Sequence, residues 1–573
     1  MHPHQHAYQP GKSCESALHQ LVARIEETLA AKEIALGAFL DIEGAFDNTS
    51  FSSMIHAAEN KGIEPTVCRW IKSMLLERTA VANLFDETAA VKIVCGCPQG
   101  GVLSPLLWDL VVNSLLVKLN SHGIYTQGYA DDIAILIRGK FTSTVFDLMQ
   151  KALQVVEEWC GEENLRVNPS KTALVAFTRK RLKENMYKPP VFYNKTLELN
   201  TEVKYLGLTI DKKLTWNSHL HNNIVRGKRL FMSGRRTCGK TWGLKPTHAH
   251  WLYTQIIRPT ITYGAAIWWP KTNQQQALTK LNSLQRLALL CITGAMSSTP
   301  TTAMEAFLSL TPLDLFIKGE ARLGAYRLQA SGNWRTGRNT GHSTIINLVT
   351  EPAGILLMGS DQIQKQYSFK KPFQVNLNWK EWNAHTDTSK SIMWFTDGSK
   401  TTEGTGSGVH GVRPRHNICF PLGQFSTVFQ AEVAAISWCL AENLRRRYQE
   451  KQIFILSDSQ AALKALLSHV ITSKLVWECL QLLNTLGNQN KVTLVWVPGH
   501  KGIEGNEKAD QLARKGATTT FVGPEPALGV TKSCIRGVVS QWMLKEHQKR
   551  WELKPDAHHI KELMSTPIRP FKR

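Results

Sequence analysis

IYTQGYADDIAILI, residues 124–137, decides how the first part of the chain is read. Two apolar runs flank Tyr129-Ala130-Asp131-Asp132, a strand–turn–strand pattern that puts two carboxylates at a hairpin tip. Upstream, Phe39-Leu40-Asp41-Ile42-Glu43-Gly44-Ala45-Phe46-Asp47 closes the apolar run Ile34 to Ile42 on another acid. Three carboxylates converging from separate strands suit two hard divalent cations, Mg²⁺ or Mn²⁺, about 3.5–4 Å apart. An Asp-Asp pair on a turn is, by itself, only a turn.

Outward from this tip the pattern alternates. Helical spacing runs over Phe51 to Leu76 with a break at Gly62, over Val102 to Leu119 and over Phe146 to Trp159. Ala173 to Phe177 reads as a strand. Mixed order of this kind predicts α+β architecture. From Lys212 to Lys280 the chain has basic residues and no Asp or Glu, interleaved with Trp216, Phe231, Trp242, Trp251, Tyr253, Tyr263, Trp268 and Trp269. Such a stretch predicts phosphate contact with stacking side chains nearby. Thr301 to Leu328 is helical in pattern, and Arg338 to Lys390 is polar and reads as a linker.

A second α/β unit spans 391–516. Its strands are expected at Ile392 to Phe395, near Val409, at Gln452 to Leu456 and at Val492 to Val497, and its helices at Gln430 to Leu444, Ser459 to Leu466 and Asn506 to Lys515. Asp397, Glu432, Asp458 and Asp510 sit at or near the ends of these elements. The tail 517–573 carries Trp542 and Trp551 and ends basic, with no role legible in it.

Composition bounds the rest. The 573 residues hold 68 Lys+Arg against 46 Asp+Glu, a net charge of +22, which points to a polyanionic partner such as nucleic acid. At 43% hydrophobic and 20% charged, the chain is globular in character. With a mean hydropathy of −0.21 it has no stretch apolar enough to span a membrane. Neither the polar start, with His2, His4 and His6, nor the eleven cysteines without a C-x-x-C pair suggests secretion. Pro10-Gly11-Lys12-Ser13 lacks the earlier glycine of a phosphate-binding loop. Gly406-Ser-Gly408-Val-His-Gly411 spells a dinucleotide fingerprint without the helix it needs, and reads as a hairpin turn.

Several motifs occur together in a telling order. They are the Asp41 segment, Gly96-Cys97-Pro98-Gln99-Gly100-Gly101-Val102-Leu103-Ser104-Pro105, the Asp131-Asp132 turn, Asn168-Pro169-Ser170-Lys171-Thr172 and Tyr205-Leu206-Gly207. In this order they resemble the palm of a reverse transcriptase. Phe395-Thr396-Asp397-Gly398-Ser399, Ala431-Glu432, Leu456-Ser457-Asp458-Ser459 and Pro498-Gly499-His500 through Asp510 resemble a ribonuclease H. Segment 285–315 and the Pro-Gln-Gly-Gly-Val-Leu-Ser-Pro stretch resemble non-LTR retrotransposon proteins.

The resemblance implies a right-hand polymerase palm and thumb followed by a ribonuclease H-like mixed β-sheet with helices, an α+β and α/β multidomain chain. It implies a palm with a remnant of fingers over 1–210, a basic thumb or connection over 211–337, a linker over 338–390, ribonuclease H over 391–516 and the tail over 517–573. Asp41, Asp131 and Asp132 would hold Mg²⁺, or Mn²⁺ in its place, in the palm. Phe46 would exclude a ribose 2′-hydroxyl, Gln99 would line the nucleotide pocket, and Lys171 would lie near the departing pyrophosphate as a general acid. Tyr205 to Gly207 would grip the primer, while Asp47 is expected to cap the next helix. Asp397, Glu432, Asp458 and Asp510 would hold two further ions, and His500 would shuttle protons.

Partners implied are an RNA template, a DNA primer, dNTPs and an RNA–DNA hybrid, with no membrane. The upstream endonuclease and finger segments of the family are expected to be missing here. Three readings follow: a bifunctional enzyme, a ribonuclease H whose palm only clamps nucleic acid, or a non-enzymatic nucleic-acid-binding relic. The family's way of copying RNA at a chromosomal nick, and the run Arg179 to Lys183, place the expected site of action in the nucleus.

Overall fold

A computed structural model describes the chain except residues 85–86, 99, 184–185, 236–243, 336–340, 348–357, 386–387, 554–560, 563–565 and 568–573. The chain divides into two compact units, one of residues 1–348 with 542–573 and one of residues 349–541.

In the first unit, α1 (Cys14–Ala30) leads into β1 (Ile34–Asp41), α2 (Ala45–Asn48), α3 (Phe51–Asn60) and α4 (Pro65–Leu76). A two-stranded ribbon follows, β2 (Thr79–Leu84) and β3 (Glu87–Lys92), then α5 (Ser104–Ser121), β4 (Tyr125–Tyr129), β5 (Asp132–Gly139), α6 (Thr142–Glu162) and β6 (Ala173–Phe177). The short strands β7 (Val191–Phe192), β8 (Lys195–Thr196) and β9 (Leu199–Asn200) precede a hairpin of β10 (Glu202–Tyr205) and β11 (Leu208–Asp211). The main sheet has the order β4-β5-β1-β6-β9. Alternation sends Leu36, Ala38 and Leu40 of β1 into one core with Ile133, Ile135, Trp108, Val111 and Phe146 from β5, α5 and α6. Phe39, on the opposite face, packs its ring 5.2 Å from Tyr205.

The polar start is not a loose end. Gln5 forms a bridge with Gly128, His6 is buried, and the buried Asp109 of α5 accepts hydrogen bonds from the amides of Gln5 (2.5 Å) and Gln9 (2.8 Å). Ser13 of the discarded phosphate-loop match caps α1 through a capping box with Ser16. Asp47 does not cap α3. That cap is Ser50, whose hydroxyl accepts from the Ser53 amide, because Asp47 lies inside the one-turn helix α2.

After the β10–β11 hairpin come α7 (Asn217–Arg235), α8 (Pro246–Leu252), α9 (Arg258–Thr262), α10 (Ala265–Trp268), α11 (Gln275–Thr293), α12 (Thr301–Phe307) and α13 (Leu313–Ala330). The aromatic pattern here corrects the stacking expectation. Trp216, Phe231, Tyr253, Trp268 and Trp269 are buried in the helical core, and Trp251 and Tyr263 are exposed. Trp242 lies outside the described residues. Interleaving with basic residues arises because amphipathic helices turn an apolar face inward and leave such residues as Arg226, Lys228, Arg229 and Lys280 outside, although Lys271 is itself buried.

In the second unit, β12 (Gln362–Tyr367), β13 (Gln374–Asn376) and α14 (Trp379–His385) precede β14 (Ile392–Lys400), β15 (Thr405–Arg413) and β16 (His416–Pro421). Then come α15 (Val428–Arg445), β17 (Gln452–Ser457), α16 (Gln460–Leu467), β18 (Val470–Ser473), α17 (Lys474–Gly487), β19 (Lys491–Trp496) and α18 (Glu504–Thr518), with α19 at Lys532–Leu553. The six-stranded sheet has the order β13-β19-β17-β14-β15-β16, with β14, β17, β19 and β13 parallel to one another. The linker reading of 338–390 is therefore corrected. Its described later part adds β13 to the sheet edge, pairs β12 with β18, and buries Trp382 of α14 against Phe454 with ring centroids 5.0 Å apart. The run Gly406 to Gly411 is part of strand β15, not a turn. A Cβ on Gly408 would lie 2.2 Å from the Ala509 carbonyl oxygen, so the glycines let α18 settle directly on the strand.

The tail divides between the units. In the second unit, Val530 bridges Ser360, and the Gln430 amide donates to the Gly529 carbonyl at 2.7 Å. In the first unit, Arg550 of α19 makes a bidentate pair with the buried Asp314 of α13 at 2.9 and 2.7 Å.

Candidate active sites

In the second unit, the parallel pairing of β14 and β17 sets Thr396 beside Ser457. The next residues, Asp397 and Asp458, therefore leave adjacent strand ends side by side. Gly398 lets α15 in: a Cβ there would lie 2.7 Å from the Glu432 amide nitrogen. The Thr427–Gln430 capping box fixes the start of that helix one turn before Glu432. Carboxylate oxygens of Asp397, Glu432 and Asp458 all lie within 4.8 Å of one another. Asp510 comes from α18 and faces Asp397, while Arg514, one turn on, holds its carboxylate from the other side at 2.9–3.0 Å.

Burial and crowding set the electrostatics. Desolvation first, then the Asp458 and Asp510 charges, push Asp397 up to about 7. Glu432 is raised well above the usual carboxylate range by burial and by Asp397 and Asp458. One Glu432 oxygen, Oε2, is buried without a hydrogen-bond partner. Four crowded carboxylates with an orphaned buried oxygen are a donor set short of positive charge, which a hard divalent cation would supply. His500 is exposed on the loop between β19 and α18 with φ 54°. Its neighbour Gly499 lies so close that a Cβ would be 2.8 Å from Asp458 Oδ2.

Three supports of this site, Arg514 among them, were not foreseen. The Trp496 indole donates to the Asp458 carbonyl at 3.0 Å, and the Asn506 amide reaches Asp458 Oδ2 at 3.4 Å. Only Arg514 left a trace in the sequence, as a basic residue at i+4 from Asp510.

In the first unit, Asp41 ends β1 directly opposite Asp132, the first residue of β5. Asp131 lies in the two-residue loop between β4 and β5, after Ala130 with φ 54°. Asp132 is pushed up to about 6, by burial first and then by Asp131 and Asp41. Lys171 Nζ lies 3.4 Å from Asp41 Oδ2, so the later motif does reach the carboxylates. Phe46 is half-buried, with its ring 6.0 Å from that of Trp108. Gln99 lies outside the described residues. Tyr205 is buried and accepts from the Gln127 amide at 3.0 Å. Leu206 and Gly207, both at positive φ, form the β10–β11 turn, with the Tyr263 hydroxyl donating to the Leu206 carbonyl at 3.1 Å.

The comparisons with known proteins agree with this division. Residues 1–210 match the family model for reverse transcriptase (RNA-dependent DNA polymerase), and residues 389–518 match that for RNase H. The chain thus carries a reverse transcriptase domain followed by a ribonuclease H domain.

Its homologues are Pol proteins of non-LTR retrotransposons of the R1 and jockey kinds. A 115 kDa protein of the type-1 retrotransposable element R1DM of Drosophila melanogaster is 27% identical over 320 residues, 55% of this chain and 30% of that one. The Pol polyprotein from the type-1 retrotransposable element R1 of Bradysia coprophila is 29% identical over 57% of this chain and 32% of its own length. The RNA-directed DNA polymerase from mobile element jockey of Drosophila melanogaster is 28% identical, over 58% and 36% respectively. The chain spans about a third of the length of these relatives.

Proposed function

We propose that the chain copies RNA into DNA at the Asp41–Asp131–Asp132 site and cuts the RNA strand of an RNA–DNA hybrid at the Asp397–Glu432–Asp458–Asp510 site. The observation that carries the reading is the packing of Asp397, Glu432 and Asp458 oxygens within 4.8 Å, with buried, strongly raised carboxyls among them. Its substrates are an RNA template with a DNA primer, dNTPs and the hybrid that copying leaves behind.

Mg²⁺ would be held by the seven carboxylates, Asp41, Asp131 and Asp132 in one site and Asp397, Glu432, Asp458 and Asp510 in the other. Bound there, it supplies an activated oxygen nucleophile and charge neutralisation on the phosphate. The residues do the rest. Gly398 and the capped start of α15 hold Glu432 in place, and Arg514 orients Asp510. His500, on its exposed loop, is placed to give or take a proton at the edge of the site. In the palm, Lys171, whose Nζ lies 3.4 Å from Asp41 Oδ2, would give a proton to the leaving pyrophosphate, and Phe46 would bar a 2′-hydroxyl. The exposed Arg226, Lys228 and Arg229 of α7 and Lys280 of α11 hold the phosphate backbone through charge. The place of action is the nucleus, with Arg179 to Lys183 as the import run. Replacing that run in a fluorescent fusion should leave the protein outside it.

Separation of the two activities tests the assignment. The Asp131→Asn, Asp132→Asn chain should lose dNTP incorporation on a primed RNA template and retain hybrid cleavage, and Asp458→Asn should do the reverse. Loss of both activities from either change would overturn the two-site reading.

A further inference from the structure

Trp108 has no part in the reading above, yet it is fully buried between two groups that matter to it. Its indole N–H donates to the Ala130 carbonyl at 2.8 Å, and its ring lies 6.0 Å from that of Phe46. Ala130 is the first loop residue between Tyr129 and Asp132, and its φ of 54° lies where alanine is strained and glycine is at ease. The carbonyl that Trp108 holds is the peptide oxygen immediately before Asp131. A strained turn persists only when its surroundings over-determine it, and here a buried donor on a rigid helix grips it at the strained residue. Helix α5 is fixed in turn by the palm core through Leu107, Val111 and Leu115.

We infer that Trp108 is a positioning residue: its indole N–H holds the Ala130 turn in the left-handed conformation that aims Asp131 and Asp132 at the palm cations, and its ring supports Phe46 from behind. The inference rests on the palm being a divalent-cation site, as proposed above. It assigns separate tasks to the two halves of one side chain. The donor serves the carboxylates, and the ring serves the sugar gate.

Trp108→Phe keeps an aromatic ring and removes the donor, and Ala130→Gly removes the strain that the donor offsets. Mn²⁺ binding to the full chain would be followed by electron paramagnetic resonance, in an Asp397→Asn, Asp458→Asn background that strips ligands from the other site. Trp108→Phe should raise the Mn²⁺ midpoint about tenfold, and adding Ala130→Gly should bring it back to within about threefold of the parent. In incorporation assays, Trp108→Phe should keep the preference for dNTP over rNTP, whereas Trp108→Leu should erode it.

A midpoint that Trp108→Phe moves by less than about twofold would overturn the inference, and so would a loss that Ala130→Gly leaves unrepaired. A parent chain that binds no Mn²⁺ in this background would instead overturn the palm cation site itself, and the inference with it.

Discussion

Asp458 shows how much one side chain carries here. It leaves the end of β17 beside Asp397, takes the Trp496 indole on its carbonyl, and meets Glu432 and Asp397 at metal-ligand range. Asp458→Asn should reduce hybrid cleavage by at least about a hundredfold. It should also leave the melting temperature of the second unit unchanged or a few degrees higher, because it removes one of several crowded like charges. Cleavage assays and calorimetry on the same preparation check both. Asp109 makes the opposite case, a buried carboxyl outside either site. Its value is raised from 3.8 to about 6, chiefly by burial. The folded state therefore holds this proton more tightly than the unfolded chain does. The group's contribution is most favourable below about pH 4 and is lost as pH rises through 6. Asp109→Asn should flatten that part of the stability–pH curve, measured as the difference between variant and parent melting temperatures from pH 4 to 7. At this scale Asp41, Asp132, Asp397 and Asp458 stand out in the sequence as acids at the ends of apolar strands, whereas Glu432 and Asp510 lie within helices and are singled out only by the resemblance. The groups that hold them do not stand out. Trp496, Asn506 and Trp108 act through a partner distant in sequence, and nothing in their local pattern marks that.

Elements were legible where period and turn chemistry agreed. The strand–turn–strand at residues 124–137 is β4 and β5, and the Gly62 break separates α3 from α4. The reading failed where a segment's structure depends on a distant edge. Residues 374–376 are too few and too polar to announce a strand, and become one only by pairing with β19. Trp382→Ala should cost the second unit about 3 kcal/mol, by emptying the space against Phe454, and leave the first unit's melting unchanged. A linker tryptophan would cost nothing measurable. The β15 glycines mislead in the other direction, since their spacing copies a nucleotide-binding signature while their work is close helix packing. Gly408→Ala would put a methyl 2.2 Å from the Ala509 carbonyl and displace the helix that carries Asp510. A loss of 2 kcal/mol or more, about that of other overpacked sites, and a fall in cleavage are expected. Gly537→Ala on α19, with nothing within 4 Å of the added carbon, should be neutral or slightly stabilising.

At the scale of the molecule, the +22 charge and the two carboxylate sites make one account. An acidic metal site would repel a polyanion, and a basic surface brings the polyanion to it. Affinity for hybrid should therefore fall steeply with salt, with a log–log slope of several, as expected when several phosphates are neutralised. The stretch from Lys212 to Lys280 stands out in the sequence by its charge. Its aromatic residues were misread, since interleaving alone cannot say which face is buried. Among the described residues no helix is long and apolar enough to cross a membrane. The central claim, two separate sites for making and consuming a hybrid, is tested most directly in one tube. Labelled RNA–DNA hybrid, primed RNA template, dNTPs and Mg²⁺ would be given to the purified chain, with the Asp458→Asn chain alongside. The account expects cleavage and incorporation from the unaltered chain, and incorporation alone from Asp458→Asn. Cleavage that survives Asp458→Asn, or an unaltered chain that performs neither reaction, would contradict it.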